Sequence, residues 1–200
     1  MKTTSEAAFE TFLTENSLTF EKVKEEDSSR PDYLVQNGDL KMLFEVKELA
    51  QDENFKTEPL AVSSRIVGDH IRRKIVDARK QVQFGAKQGI PSILLIYNNL
   101  DPIHLFGTED FDFTVAMYGE YTVVFDRETQ EKVDEYHGRK HSVAPERNTS
   151  FSAVGRLMPV RGKMTVTLFE NAFAKVKIPF DSLPACFEVK RVEITYSEHV

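Results

Sequence analysis

Apolar and polar positions alternate with two different periods in the first hundred residues, and the changes of period mark out the elements. From Thr4 to Glu15 the apolar residues Phe9, Phe12 and Leu13 recur at helical spacing behind a capping Thr3 or Thr4, which predicts a first helix. The stretch from Arg30 to Leu49, RPDYLVQNGDLKMLFEVKEL, holds two apolar-rich runs split by Asn37-Gly38, the strongest short signal for a two-residue hairpin turn. From Ser64 to Lys87, Ile71, Ile75, Ala78, Val82 and Gly85 return to helical spacing along a narrow apolar stripe. Ile90 to Tyr97 is then almost continuously apolar, as expected of a buried central strand, and Asn98-Asn99 closes it.

The second half reads as architecture. Phe111 to Tyr118 fits a short helix stopped by Gly119, and Tyr121 to Phe125 fits a strand. From Asp126 to Asn148 the chain is polar and reads as a long exposed connection. Ser150 to Pro159 reads as a helix or a strand, Met164-Val166-Leu168 as an alternating strand, Asn171 to Phe173 as a turn, and Glu188 to Thr195 as a closing strand. A helix followed by a buried strand favours a mixed α/β sheet flanked by helices. The 200 residues, 40% of them hydrophobic, suffice for one sizeable core, so a single domain over residues 1–200 is expected.

Hairpin register turns the strand pattern into a statement about chemistry. With Asn37-Gly38 as the whole turn, Val35 pairs with Leu40 and Asp32 with Leu43. Asp32 then shares a face with Leu43, Glu45 and Lys47, while Met42, Phe44 and Val46 take the other. Asp32 and Glu45 become diagonal neighbours roughly 5–8 Å apart, a span that one or two divalent cations bridge. At about 5 Å and an effective dielectric near 20, two carboxylates repel by roughly 3 kcal/mol, so a cation between them stabilises the sheet. A Glu-x-Lys triplet alone is common by chance; the register is what brings the aspartate to it.

Charge is distributed unevenly. The chain carries a formal −6, yet Arg65, Arg72, Arg73, Lys74, Arg79, Lys80 and Lys87 outnumber Asp69 and Asp77 between Arg65 and Lys87, giving that segment +5. Such a helix either faces phosphates or is simply a solvated surface; composition leaves both open. Glu6, projected closer to the apolar stripe of the first helix than Glu10, is either a first-turn acid stabilised by the helix dipole or part of the site. His137 and His141 stand four apart, but the intervening Gly138 disfavours a helix that would aim both at zinc. The single cysteine, Cys186, excludes an internal disulfide and reads as a small buried side chain. The absence of a leader or of any apolar run of membrane-spanning length predicts a cytoplasmic protein with no membrane partner.

Pro31-Asp32, a short hairpin, then Glu45-Val46-Lys47, with a glutamate-bearing helix before and a basic helix and buried strand after, resembles the PD-(D/E)XK nuclease superfamily. The tail phrases NTSFSAVGRL and FENAFAKVKIP look like those of an uncharacterised bacterial subgroup. The resemblance implies a restriction-endonuclease-like αβββαβ core over about residues 1–100, completed by C-terminal strands. It implies a divalent-metal-dependent nuclease acting on DNA, with Mg2+ or Mn2+ held by Asp32, Glu45 and the Val46 carbonyl, and Lys47 at the attacking water. It further implies Glu6 and Gln81 as catalytic-site residues and Arg72, Arg73, Lys74, Arg79 and Lys80 as the nucleic-acid-binding set. For Lys74 and Gln81 the periodicity only permits that role. So acidic a chain fits either a homodimer or a partner protein that supplies specificity. The competing readings are a nuclease-like binding or regulatory module that does not cut, and a surface coincidence with Asp32 and Glu45 too far apart to share an ion.

Overall fold

The computed structural model describes residues 2–24, 30–50, 64–101, 103–192 and 194. The elements run, in chain order, α1 (Thr4–Glu15), β1 (Thr19–Lys22), β2 (Tyr33–Asn37), β3 (Leu40–Leu49), α2 (Asp69–Asp77), α3 (Arg79–Lys87), β4 (Ser92–Asn98), α4 (Asp110–Tyr118), β5 (Tyr121–Phe125), β6 (Lys132–His137), β7 (Ala153–Val160), β8 (Lys163–Glu170) and β9 (Phe187–Lys190). Seven strands form a mixed sheet in the order β1-β2-β3-β4-β7-β8-β9, and β5 with β6 forms a separate two-stranded sheet. β1, β2 and β3 are an antiparallel meander, β3, β4 and β7 are parallel, and β8 returns antiparallel to β7.

Each face of the large sheet is covered by helix. On one side Phe9, Phe12 and Leu13 of α1 bury against Tyr33, Val35, Met42, Phe44 and Val46, with the Phe9 and Phe44 rings 5.0 Å apart between centroids. On the other, Ile71, Ile75, Ala78 and Val82 of α2 and α3, with Phe113, Ala116 and Met117 of α4, bury against Leu94, Ile96, Val154 and Phe169. Burying each of these large side chains is worth about 1.5–3 kcal/mol, which is why the stripes read from the sequence are the contact faces. β4 lies between both layers and every one of its residues is buried, so it has no polar alternation to show.

The first helix occupies the expected residues, with Thr3 as its cap. The 64–87 segment differs from expectation: residues 64–68 are not helical, and Ala78 (φ −88°, ψ 0°) separates α2 from α3, keeping the stripe while letting the axis bend. Gly85 brings α3 against the sheet, since a Cβ there would lie 2.2 Å from Ser92 Oγ and 2.6 Å from Leu43 Cδ1. Within Ser150 to Pro159 the chain is strand from Ala153 on, as β7 (Ala153–Val160), and not helix. The polar stretch after Asp126 is not a bare connection, because β6 pairs antiparallel with β5. β9 is shorter than the expected Glu188–Thr195 strand, and Thr195 lies outside the described residues. Cys186 is only half-buried at the margin of the α1-side core.

Candidate active site

The hairpin closes one step later than Asn37-Gly38 suggests. Asn37 pairs with Leu40, leaving Gly38 and Asp39 as the turn, and Gly38 alone of the two has a positive φ (58°). Glycine in the first turn position is the type II′ preference, and it keeps Asn37 in the ladder. Tyr33 therefore pairs with Phe44 rather than with Met42, a slip of two residues. An even slip preserves every face, so Asp32 still lies on the side of Leu43, Glu45 and Lys47. Continuing the ladder by one pair sets Asp32 directly opposite Glu45 rather than diagonal to it.

Backbone geometry ties the two strands together at this point. Val46 N–H donates to Asp32 Oδ2 at 2.8 Å. The N–H and C=O of one strand residue point the same way, so the Val46 carbonyl also faces the Asp32 side, beyond the last β2–β3 ladder pair. Asp32 is half-buried, and its carboxyl is raised above the usual range by burial, with the Val46 N–H and the Lys47 ammonium pulling the other way.

Glu45 is 2% exposed. Its Oε1 takes Lys47 Nζ at 2.6 Å, while its Oε2 is buried with no hydrogen-bond partner among the described residues. Burial first, and the Asp32 charge second, push the Glu45 carboxyl up to about 7, against the pull of Lys47. Two facing carboxylates are both acceptors, so a proton, a cation or a donating water between them satisfies the orphaned oxygen. Burial pulls the Lys47 ammonium down, but Glu45, Asp32 and Asp77 outweigh it and hold it above the usual lysine range, hence charged.

A second orphaned acceptor comes from α3. Gly85 packs on Leu43 and on Ser92, the first residue of β4, so α3 runs back over β3 in the opposite direction. Gln81, about one helical turn before Gly85, therefore lies on the side of the sheet that carries Glu45, and Asp77, at the end of α2, is near enough to raise the Lys47 ammonium. Gln81 Oε1 is buried and, among the described residues, without a partner. The side of the sheet that bears Glu45 and Lys47 thus has two unsatisfied buried acceptors among the described residues.

An open cleft of about 730 Å³ exposes this corner, walled by Asp32, Val46 and Lys47 on one side and Glu6 and Lys22 on the other. Glu6 is nine-tenths buried and does both jobs left open by the sequence. It closes the α1 capping box, its Oε2 accepting the Thr3 N–H at 2.8 Å, and it reaches the cleft, where its Oε1 takes Lys22 Nζ at 2.5 Å. Burial raises its carboxyl, but Lys22 and the Thr3 donors prevail and leave it below the usual glutamate range. Lys22 was not among the expected residues; only the β1–β2 pairing reveals that this edge strand delivers it to the cleft.

The basic segment separates into struts and exposed surface. Arg72 is consumed by structure: its guanidinium donates to the carbonyls of Lys140, Val67 and Val115 and pairs with Asp69 at 3.0 Å. Arg65 pairs with Asp112 and Glu109 in the same manner. Arg73, Arg79 and Lys80 are exposed, and Lys74 is half-buried in the last turn of α2. His137 lies in β6 with its ring against Tyr118 and Tyr121, and His141 directs Nδ1 at the Gly138 carbonyl.

Among the described residues no group of three or more His, Cys, Asp or Glu side chains is placed to hold a metal, and no helix is long and apolar enough to cross a membrane. An ion at the Asp32–Glu45 pair would have two carboxylates, the Val46 carbonyl and water. That oxygen-only set suits Mg2+, which keeps several waters and commonly takes only one or two carboxylates. The orphaned Glu45 Oε2 is the observation that fits the residues to such an ion. No protein-family model, no curated protein and no solved structure matches the chain.

Proposed function

We propose that the chain is a metal-dependent nuclease of the PD-(D/E)XK type, hydrolysing phosphodiester bonds with DNA as substrate. One observation carries the reading: Asp32 and Glu45 adjoin at the end of a hairpin, one oxygen of the pair is buried without a donor, and a charged Lys47 is clamped beside it. The element order α1, β1, β2, β3, α2/α3, β4 supports it, because the same order is expected of a restriction-endonuclease-like core. The adjacency also argues against a surface coincidence.

Asp32, Glu45 and the Val46 carbonyl would hold Mg2+ or Mn2+, which supplies Lewis acidity toward a phosphoryl oxygen and lowers the pKa of a bound water. The protein's own groups do the rest. Lys47 presents an ammonium whose remaining protons donate to the attacking water or to a non-bridging phosphate oxygen, stabilising charge that grows in the transition state. Gln81 Oε1, on the same side of the sheet as Glu45, would accept a hydrogen bond from water and so orient it. Glu6 fixes Lys22 at the cleft wall, where that ammonium meets a neighbouring phosphate. Exposed Arg73, Arg79 and Lys80 hold the strand by counterion release.

The test is cleavage of plasmid, linear duplex, single-stranded DNA and RNA with Mg2+ or Mn2+, comparing wild type with Glu45→Ala and Lys47→Ala. Loss of at least about a hundredfold in rate is expected for each variant. Cleavage untouched by both substitutions sinks the proposal. Inactivity of all three proteins on every substrate replaces it with a non-cutting binding module.

A further inference from the structure

The two-stranded sheet differs from the other sheet edges among the described residues. The outer strands of the large sheet, β1 (TFEK) and β9 (FEVK), each carry an acid and a lysine, the usual means of blocking edge-to-edge association. β6 (KVDEYH) carries Lys132, Asp134 and Glu135. β5 (YTVVF) carries no charge at all. Its Tyr121, Val124 and Phe125 are 45%, 37% and 59% exposed, and among the described residues it pairs only with β6.

Backbone directions along β5 follow from its flanks. Glu120 exchanges hydrogen bonds with the β6 side, its carbonyl taking Gly138 N–H at 2.9 Å and its N–H reaching the Arg139 carbonyl at 3.1 Å. Asp126 N–H donates to the Glu131 carbonyl at 2.8 Å. Alternation between these two even-numbered residues directs Thr122 and Val124 at β6 and turns the N–H and C=O of Tyr121, Val123 and Phe125 outward. The irregularity between Val124 and Phe125 skips a residue of β6 and leaves β5 continuous.

We propose that β5 pairs antiparallel with β5 of a second copy of this chain about a two-fold axis at Val123, joining the two hairpins into a four-stranded sheet. The register is self-complementary. Val123 opposes its own copy, Tyr121 opposes Phe125 of the other chain, and Thr122 opposes Val124. The three outward residues of each chain meet as hydrogen-bonded pairs, giving about six inter-chain backbone hydrogen bonds. Tyr121 and Phe125 become aromatic cross-strand partners, a pairing that stabilises sheets. The same operation on β6 about its outward Glu135 sets that acid against its own copy, so β6 is the wrong edge. At the ends of the β5 pair, Glu120 meets Asp126 of the other copy. Lys140 already neutralises Glu120 at 3.0 Å, and two backbone N–H groups hold Asp126, so added salt tightens the dimer rather than breaking it.

The interface is independent of the nuclease reading and is tested without activity. Sedimentation velocity of the full chain from roughly 1 to roughly 200 μM is expected to show a monomer–dimer equilibrium. Val123→Pro removes an N–H that strand alternation turns away from β6; it should weaken the dimer roughly a hundredfold, from two lost symmetric hydrogen bonds. In a Cys186→Ser background, Val123→Cys should cross-link to itself on oxidation, whereas Val160→Cys, more exposed than Val123 but remote from β5, should not. A chain monomeric throughout the range overturns the proposal, and so does a dimer that tolerates Val123→Pro and whose Val123→Cys variant stays uncrosslinked.

Discussion

Two buried carboxylates in this molecule have opposite fates. Asp112, fully buried at the start of α4, uses both oxygens: Oδ1 takes Arg65 and the Gly68 N–H at 3.0 Å, and Oδ2 takes the Glu109 N–H at 3.1 Å. Glu45, almost as deeply buried, has one oxygen on Lys47 and the other on no described donor, with Asp32 adding a second negative charge. A buried acid whose acceptors are all matched serves the fold, and removing it leaves a stranded cation. A buried acid with an unmatched oxygen costs the fold something, and its persistence asks for a ligand.

Stability measurements give the sharpest way to break that contrast. Asp112→Ala should cost about 3–5 kcal/mol, since it leaves Arg65 only its longer contact with Glu109 and strips two backbone donors, and should show in urea denaturation as a lower midpoint. A loss under about 1 kcal/mol would put Asp112 and Glu45 in the same class.

Glu45→Gln should act in the other direction, and pH separates the two. A carboxyl whose folded pKa lies above its unfolded value contributes stability below the unfolded value and loses it as pH rises through the folded one. For Glu45 that window runs from 4.5 to about 7, and Asp32 shifts in the same sense. In EDTA at pH 8.5, Glu45→Gln should therefore be more stable than wild type by on the order of 1–3 kcal/mol, the gap closing toward pH 4.5. Adding Mg2+ should raise the wild-type Tm and leave the variant's unchanged. A wild type more stable than Glu45→Gln at pH 8.5 in EDTA would remove the strain on which the comparison rests.

The smallest effects sort the basic segment. Arg72→Ala should cost about 1–2 kcal/mol through its lost carbonyl contacts, whereas Lys80→Ala should stay within about 0.5 kcal/mol. In nucleic-acid binding the order reverses, Lys80→Ala lowering the salt slope by about one. Equal behaviour of the two in both measurements would mean that strut and exposed surface are not distinct.

Much of this was legible in the sequence where one signal dominated. Thr3 and the Phe9-Phe12-Leu13 stripe bound α1 correctly, and the unbroken apolar run announced β4. The hairpin faces were readable because side-chain alternation is insensitive to an even error in register. What stayed hidden depends on partners distant in sequence. Counting charges cannot separate Arg72 from Lys80, because the carbonyls of Val115 and Lys140 that claim Arg72 lie over forty residues away. β6 escaped notice because Lys132, Asp134 and Glu135 mask its period of two. Lys22 gave no signal of its own, and the unmatched Gln81 oxygen exists only once α3 lies over β3.

The two-residue turn at Gly38 and Asp39 confers a selective tolerance on this chain. Shifting the β2–β3 register by an even number of residues slides Asp32 along the Glu45 face without leaving it. An odd change sends it to the side packed by Phe9 and Phe44, unless a bulge absorbs the difference. Register slips in the hairpin are therefore filtered by parity, and the same rule that holds the acids together decides which slips the site survives.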